Sequence, residues 1–235
     1  MRLDKILAHL GYGSRKEVKK IIRAGQVLVN GETVRDDDVH VDPDEDEIIV
    51  GEEQVAYSAK VYWILNKPQD VVSATIDARY PTVISLLPQG ASYGVFPVGR
   101  LDIDTEGLLV LTNDGTLAHS LLSPKKHVEK EYEVELKTDW DAKYESILNN
   151  GIAINNPDFA CKPAQVKVLN PRKIRLIITE GKFHQVKRMM VACHNEVTHL
   201  KRVRMGLLEL DPTLKLGQCR PLSDDELQQL QKTHD

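Results

Sequence analysis

The sequence predicts an α+β protein with a small N-terminal domain, residues 1–58, and a larger domain, residues 59–235. Near the N-terminus, a helical pattern is followed by two short strands that a turn joins. Beyond residue 60, strand-like runs such as VYWIL, LLVLT and IRLII alternate with turns and with few helical patterns. The 235 residues are 41% hydrophobic and 28% charged, which is typical of a folded chain with a buried core.

The N-terminal domain carries a strong local signal for helix followed by hairpin. Ser14 and Glu17 have the spacing of a capping box, and apolar residues then recur at helical spacing, which predicts a helix over residues 15–23. Gly25 suits the position that ends this helix. Asn30-Gly31 is the strongest short signal for a two-residue hairpin turn, so a strand is expected on each side of it.

Residues 51–60 lack clear periodicity, and we expect the linker between the domains there. In the larger domain, helices are expected at about residues 139–149 and 184–193, and a second capping box begins a C-terminal helix after Ser223. Strict alternation over residues 131–136 predicts a strand whose buried face holds Tyr132, Val134 and Leu136.

Charge is distributed unevenly along the chain, although the net charge is only −4. Residues 1–25 hold seven basic side chains against two acidic ones, and residues 31–54 hold eleven acidic against one basic. Residues 182–204 hold six basic side chains against one acidic. Two separated basic regions favour a polyanion that spans two sites, although solvated helix faces would give the same pattern.

The segment RLDKILAHLGYGSRKEVKKIIRAGQVLVNGE resembles the S4 domain, a small RNA-binding module, over roughly residues 1–50. The resemblance implies the αL fold of that module. The basic face of the predicted helix would then lie along a phosphate backbone and position the RNA without reading its bases. The RNA contacts expected in this domain are Arg2, Arg15, Lys16, Lys19, Lys20 and Arg23.

Residues 99–115, GRLDIDTEGLLVLTNDG, form the segment of the larger domain with the highest density of side chains able to act in catalysis. A loop between buried strands is a suitable place for catalysis. If the backbone is extended there, Asp102 and Asp104 point in the same direction, together with Arg100. Two readings compete with catalysis by Asp102 alone: an ordinary charged loop in which Asp104 caps a turn, and a carboxylate pair of a hydrolase acting on nucleosides or sugars.

Three ordered motifs, GRLDIDTEGLLVLTNDG, EKEYEV and EGKFHQVKRM, resemble the signature of the RsuA family of pseudouridine synthases. The resemblance implies a mixed, mainly antiparallel sheet. It makes Asp102 the essential aspartate, Tyr132 the tyrosine that packs near uracil, and Lys187 the basic partner of Asp102. It also implies an isomerisation that needs no cofactor.

The segments HQVKRM, SPKKHVEKEY and KPAQV resemble the branch of the family that acts on the small ribosomal subunit. The implied partner is 16S rRNA or a small-subunit assembly intermediate, and the implied target is uridine 516. Two alternatives stay open: a synthase acting on 23S rRNA, and a non-catalytic RNA-binding factor in ribosome assembly.

A uridine within folded RNA must leave its stack, and a protein side chain usually fills the space. Arg100 is the candidate for that role. His184, inside the third motif, either touches RNA or caps its helix. Further contacts to RNA are expected from Lys130, Arg188, Lys201 and Arg202.

Other patterns exclude several classes of protein. The N-terminal residues lack an apolar signal segment, and no run approaches 18 apolar residues, so a secreted or membrane protein is not expected. Three widely spaced cysteines predict reduced thiols in the cytoplasm. His194 and His199 beside Cys193 lack the further ligands of a metal site, so we expect no metal. A monomer is expected.

Overall fold

The computed structural model describes residues 1–42, 45–55, 60–88, 94–154 and 160–233. The chain divides into two compact units. The first comprises Met1–Val61 together with Leu87–Phe96, and the second comprises Tyr62–Leu86 together with Pro97–Asp235.

The N-terminal unit contains two helices and a four-stranded antiparallel sheet. Its elements are α1 (Leu3–His9), α2 (Arg15–Arg23), β1 (Val27–Val29), β2 (Glu32–Val34), β3 (Ile48–Val50) and β4 (Glu53–Val55), with the strand order β2-β1-β3-β4. The predicted capping box at Ser14 and Glu17 is confirmed. The predicted hairpin is confirmed too, because Asn30 and Gly31 both have positive φ, 53° and 81°, as the turn requires.

An apolar cluster of buried side chains holds this unit together. The helices bury one face each against the sheet, and the buried side chains include Leu3, Ile6, Leu7, Val18, Ile22, Val27, Val41 and Ile48. Each buried Leu or Ile side chain contributes about 1.5–3 kcal/mol. The helical spacing of Val18 and Ile22 therefore directs the opposite, basic face of α2 to solvent.

The prediction of a linker over residues 51–60 is wrong at its start. β3 and β4 form a hairpin around Gly51, and Val55 packs against the apolar cluster of the unit. The sequence does not indicate this hairpin, because three-residue strands are too short to show alternation and no Asn-Gly pair marks the turn. Residues 56–59 lie outside the described residues.

The second unit is built on one large sheet. Its strands are β5 (Tyr62–Lys67), β6 (Phe96–Pro97), β7 (Glu106–Thr112), β8 (Lys130–Leu136), β9 (Gln165–Asn170), β10 (Lys173–Ile178), β11 (Val197–Met205), β12 (Leu208–Glu209) and β13 (Cys219–Pro221). The order is β13-β5-β7-β11-β8-β10-β9, with β12 beside β11 and β6 beside β7. Only β7 and β11 run parallel among the pairs along this order, so the expected mixed, mainly antiparallel sheet is confirmed.

The helices of this unit are α3 (Gly115–Leu122), α4 (Lys143–Asn149), α5 (Gln185–Ala192) and α6 (Asp224–Lys232). The capping box that begins α6 is confirmed. The helix expected over residues 139–149 begins four residues late, at Lys143, because the carboxylate of Asp141 accepts its backbone N–H at 3.0 Å. In β8, Tyr132, Val134 and Leu136 share the buried face, as the alternation predicted.

Candidate active site

The loop before β7 brings the two predicted aspartates together by a turn. The Thr105 N–H donates to the Asp102 carbonyl oxygen at 3.0 Å, so the backbone turns here and is not extended. The carboxylates nevertheless converge on one amine. Lys187 Nζ lies 3.3 Å from Asp102 Oδ2 and 2.5 Å from Asp104 Oδ1. The lysine therefore bridges both acids, where the motif alone predicted Asp102 as its partner.

A buried lysine supports this turn through hydrogen bonds to its backbone. Lys67, at the end of β5, is fully buried, and its Nζ donates to the carbonyl oxygens of Pro68 and Thr105 at 2.9 Å and of Asp102 at 3.1 Å. Burial lowers the pKa of Lys67 to about 8, so its ammonium form prevails at neutral pH. Sequence reasoning missed Lys67. The available signal was a lysine that ends an otherwise apolar strand.

Two further features fix the loop. Ser73 Oγ donates to the carbonyl oxygen of Leu101 and accepts from its N–H, both at 3.0 Å. Gly107 has a φ of 102°, and a Cβ at this position would lie 2.2 Å from the carbonyl oxygen of Arg202. Glycine therefore permits the close parallel approach of β7 and β11, which places the loop beside the neighbouring strands.

The acids differ in exposure. The Asp102 side chain is 26% exposed and the Asp104 side chain is 61% exposed. Partial burial acts to raise the pKa of Asp104, but the hydrogen bond and the charge of Lys187 outweigh it, so the pKa lies below its ordinary value. Asp104 is therefore ionised at neutral pH.

Asp102 lines an open cleft whose space, counted together with the solvent at its mouth, is about 410 Å³. Its walls are partly apolar, from Ile178, Val186 and Leu200, and the buried Tyr132 also lines it. This lining offers apolar surface for the faces of a flat ring and polar groups for its edges.

His184 lies at the N-cap position of α5 and lines the same cleft. It therefore occupies the cap position of its helix, but its side chain makes no capping hydrogen bond. Its Nε2 lies 3.7 Å from Asp102 Oδ1, and the side chain is 42% exposed. A ligand in the cleft would therefore meet His184 beside Asp102.

Residues 61–192, which span the loop, β8 and α5, match the protein family described as RNA pseudouridylate synthase. The chain belongs to the RsuA family of pseudouridine synthases. The synthase also matches the S4 domain over residues 1–48. Both resemblances predicted from the sequence are thereby confirmed, and the chain is an isomerase, which excludes the reading as an aspartate-based hydrolase.

Relatives match this synthase along nearly its whole length. An uncharacterized RNA pseudouridine synthase, YtzG of Bacillus subtilis, is 50% identical and covers 97% of each chain. The ribosomal small subunit pseudouridine synthase A of Yersinia pestis is 38% identical over 100% of each chain. A crystal structure of a pseudouridylate synthase, 37% identical, superposes with a TM-score of 0.71 and covers 98% of this chain and 99% of that one.

Several basic residues of the N-terminal unit of the synthase pair with acids of the same unit. Arg2 binds the fully buried Asp4 at 2.9 Å and Asp38 at 2.5 Å. Three more predicted RNA contacts are paired in the same way, namely Arg15 with Asp4, Lys19 with Asp37, and Arg23 with Asp37. Lys16 and Lys20 lie exposed on α2. Acids from residues 31–54 thus neutralise part of the basic face of α2. The number of charges in each segment does not show which of them are paired.

Two predicted RNA contacts are wrong, because their side chains are buried. Lys130 is 7% exposed and donates to the Val128 carbonyl oxygen at 2.9 Å, and Arg202 is 2% exposed and donates to that of Leu108 at 2.7 Å. Burial lowers the pKa of Lys130 to about 8. The signal was available: Lys130 lies two residues before Tyr132 in an alternating strand and so shares its buried face.

The other predicted contacts differ from one another in their surroundings. Arg100 is exposed and lines the cleft. Arg188 donates to the carbonyl oxygens of Phe183 and Ile154 at 3.5 and 3.3 Å. Lys201 lines a second cavity, which also contains Glu131 and Arg204. The structure thus brings Arg100 to the candidate site and leaves Lys201 outside the cleft.

The described residues contain no group of three His, Cys, Asp or Glu side chains placed to hold a metal ion. His199, considered as a ligand in the sequence, instead contacts Glu106 through Nε2 and Oε2 at 3.0 Å. Among the residues that the structure describes, no helix has the length and apolar character needed to cross a membrane.

Proposed function

We propose that the synthase converts one uridine of 16S rRNA, uridine 516, to pseudouridine, with Asp102 as the reacting carboxylate. The observation that carries this proposal is the contact of Asp102 with Lys187 beside a cleft that Tyr132 also lines. The choice of 16S rRNA is supported by relatives from Yersinia pestis and Escherichia coli, both named ribosomal small subunit pseudouridine synthase A.

The reaction breaks the bond between C1′ of the ribose and N1 of uracil, rotates the base and forms a bond between C1′ and C5. The proton on C5 is lost and N1 gains one, so atoms balance without oxidation, reduction or energy input. Asp102 acts at the sugar, either by attack on C1′ or by removal of a proton from C2′. Both routes require an ionised carboxylate.

Lys187 aims the Asp102 carboxylate. Its ammonium lies 3.3 Å from Asp102 Oδ2, and the two side chains are only about a quarter exposed, at 25% and 26%. An anion in such a place is stabilised by a nearby cation far more than in bulk water. Asp104, on the same amine, fixes where the ammonium lies.

Tyr132 supports the base. The tyrosine is 7% exposed and lines the cleft with Leu200 and Ile178, so its ring is held by packing. In this position it packs against the uracil ring while the base turns about the sugar. Removal of a uridine from its stack costs a few kcal/mol, and contacts of this kind compensate for part of it.

Contacts outside the cleft hold the RNA backbone and the strand around the target. Lys16 and Lys20 on α2 offer exposed ammonium groups to phosphates. At the cleft, Arg100 enters the space that the uridine leaves, and His184 and Arg188 contact the neighbouring nucleotides. The partner is the free rRNA or a small-subunit assembly intermediate, and the synthase acts as a cytoplasmic monomer.

The test is carbodiimide primer-extension mapping of unmodified 16S rRNA, free and partly assembled, after incubation with the wild-type protein and with Asp102→Asn. We expect a single new stop at uridine 516 with the wild type alone. Mapping of 23S rRNA under the same conditions tests the alternative target.

Each outcome identifies a different reading. A stop on 23S rRNA instead of 16S rRNA would transfer the activity to the large subunit. Binding without any stop on either RNA would leave a role as an RNA-binding assembly factor and refute the proposal. A stop that persists with Asp102→Asn would remove Asp102 from the reaction.

A further inference from the structure

Phe183 presents an aromatic face to solvent beside the cleft. Its side chain belongs to the most exposed large apolar side chains among the described residues, at 72% exposure. The ring stacks on that of His184, with centroids 3.8 Å apart and planes inclined by 19°. One face of Phe183 is therefore covered by His184, and the opposite face is open.

The stacked rings of His184 and Phe183 extend from Asp102 toward solvent. His184 Nε2 lies 3.7 Å from Asp102 Oδ1, and Phe183 stacks on the same imidazole. The Phe183 ring therefore separates its open face from His184, the side chain that lies next to Asp102. A nucleotide adjacent to one bound at Asp102 has its base within reach of that face.

The backbone around the pair is held in place. Gln185 Oε1 accepts the Lys182 N–H at 2.9 Å, and its Nε2 donates to Glu180 Oε1 at 2.8 Å. His184 has a φ of 49°, in the left-handed region, which few residues with a side chain adopt although histidine is among those that do so most often. The backbone on either side of Phe183 is thus tied by hydrogen bonds, and the ring itself rests on His184.

Neither core packing nor capping accounts for the pair. A phenylalanine that is 72% exposed contributes little to the core, and His184 makes no capping hydrogen bond. Nucleobases stack on exposed aromatic faces regardless of sequence, because every base has a flat π surface. The ring pair therefore has the chemistry of a stacking platform for a base.

We propose that the open face of Phe183 stacks on the base next to the target uridine and holds the strand while the uridine occupies the cleft. The inference rests on the proposed function, since it needs an RNA strand whose uridine enters the cleft. Phe183 is a positioning residue, because it touches the flanking base and no reacting atom.

The experiment compares Phe183→Leu, which removes the aromatic face, with Phe183→Trp, which keeps it. Leu169→Ala is the matched control, because Leu169 is also exposed, at 41%, but lies on β9 outside the cleft lining. The substrate is a 16S rRNA fragment with 2-aminopurine on either side of the target uridine. Fluorescence quenching at saturating protein reports stacking, with binding verified by anisotropy, and tritium release from C5 reports turnover.

We expect Phe183→Leu to abolish the quenching on one side of the uridine and to lower kcat/KM about tenfold. Phe183→Trp and Leu169→Ala keep quenching and kcat/KM close to the wild type. The melting temperature of Phe183→Leu stays unchanged, because the ring is exposed. A structural role would instead lower the melting temperature and would not distinguish Leu from Trp by fluorescence.

Equal quenching by the wild type and Phe183→Leu, or an unchanged kcat/KM, would overturn the inference. Absence of quenching by the bound wild type would overturn it as well. Suppose that quenching depends on an aromatic residue at 183, but the wild type releases no tritium. This result would refute the proposed function and leave the stacking of Phe183 on a base intact.

Discussion

Asp102→Asn and Asp104→Asn form a matched pair of substitutions that separates catalysis from electrostatics. Each replaces a carboxylate by an amide of the same shape. Each also removes one of the two anions on Lys187 Nζ, at 3.3 Å for Asp102 and 2.5 Å for Asp104. In both variants the lysine keeps one anionic partner, so no unpaired ammonium is left in the cleft.

The structure predicts small and similar effects on stability. Both ion pairs are partly exposed, with carboxylate exposures of 26% and 61%, and pairs of this kind contribute roughly 0–1 kcal/mol. For a chain of this size, 1 kcal/mol corresponds to a change in melting temperature of about 2–4 °C. RNA affinity should not fall in either variant, because each removes a negative charge near the phosphates.

The effects on turnover differ strongly. Loss of the reacting carboxylate in Asp102→Asn should lower kcat by at least about 10⁴-fold, or more than roughly 5 kcal/mol of barrier. Asp104→Asn removes only one of two contacts that hold Lys187, so we expect a decrease of about tenfold or less.

Tritium release from C5 of labelled uridine under single-turnover conditions measures the chemical step. Filter binding measures RNA affinity, and calorimetry measures the melting temperature. The reasoning is refuted if the two variants lose turnover equally, or if Asp102→Asn loses RNA affinity in parallel with turnover.

Three further predictions concern packing, pH and RNA binding. Gly107→Ala should lower the free energy of unfolding by about 3 kcal/mol in urea titrations, because the new methyl group would meet the Arg202 carbonyl oxygen, 2.2 Å away, at a strained φ. Burial and the Asp114 carboxylate raise the pKa of Tyr62 to about 12, above its value of about 10 in an unfolded chain. The folded state therefore holds this proton longer, so stability falls as the pH rises from about 10 to 12, and Tyr62→Phe should remove that part of the slope in urea titrations. Lys16→Ala should reduce the slope of log affinity against log salt by about 0.7–0.9 in filter-binding assays, and an unchanged slope would exclude this phosphate contact.

Local signals predicted much of the fold. The α2 capping box, the Asn30-Gly31 turn and the alternation in β8 depend on neighbouring residues along the chain, so short-range chemistry determines them. The short strands β3, β4 and β13 were not predicted, because three residues are too few to show a period and no Asn-Gly turn marks them. The late start of α4 at Lys143 depends on the Asp141 carboxylate, which competes with the helical pattern.

The candidate site was predicted through the family motifs more than through the residues alone. Those motifs named Asp102, Tyr132 and Lys187, and the structure places Asp102 and Tyr132 in one cleft and Lys187 on the Asp102 carboxylate. Their roles in turnover stay predictions. Asp102 and Asp104 do converge, but through a turn held by the buried Lys67 and not through an extended backbone.

The sequence by itself determined the family, the two domain types and the helices and turns whose signals lie within a few residues. Only the tertiary structure decided which charges are available. Arg2 is paired with acids of its own unit, Lys130 and Arg202 are buried, and Lys67 supports the loop of Asp102. Charge counts cannot separate these cases, because the burial and the partner of a lysine or arginine depend on strands and helices that are distant in the chain.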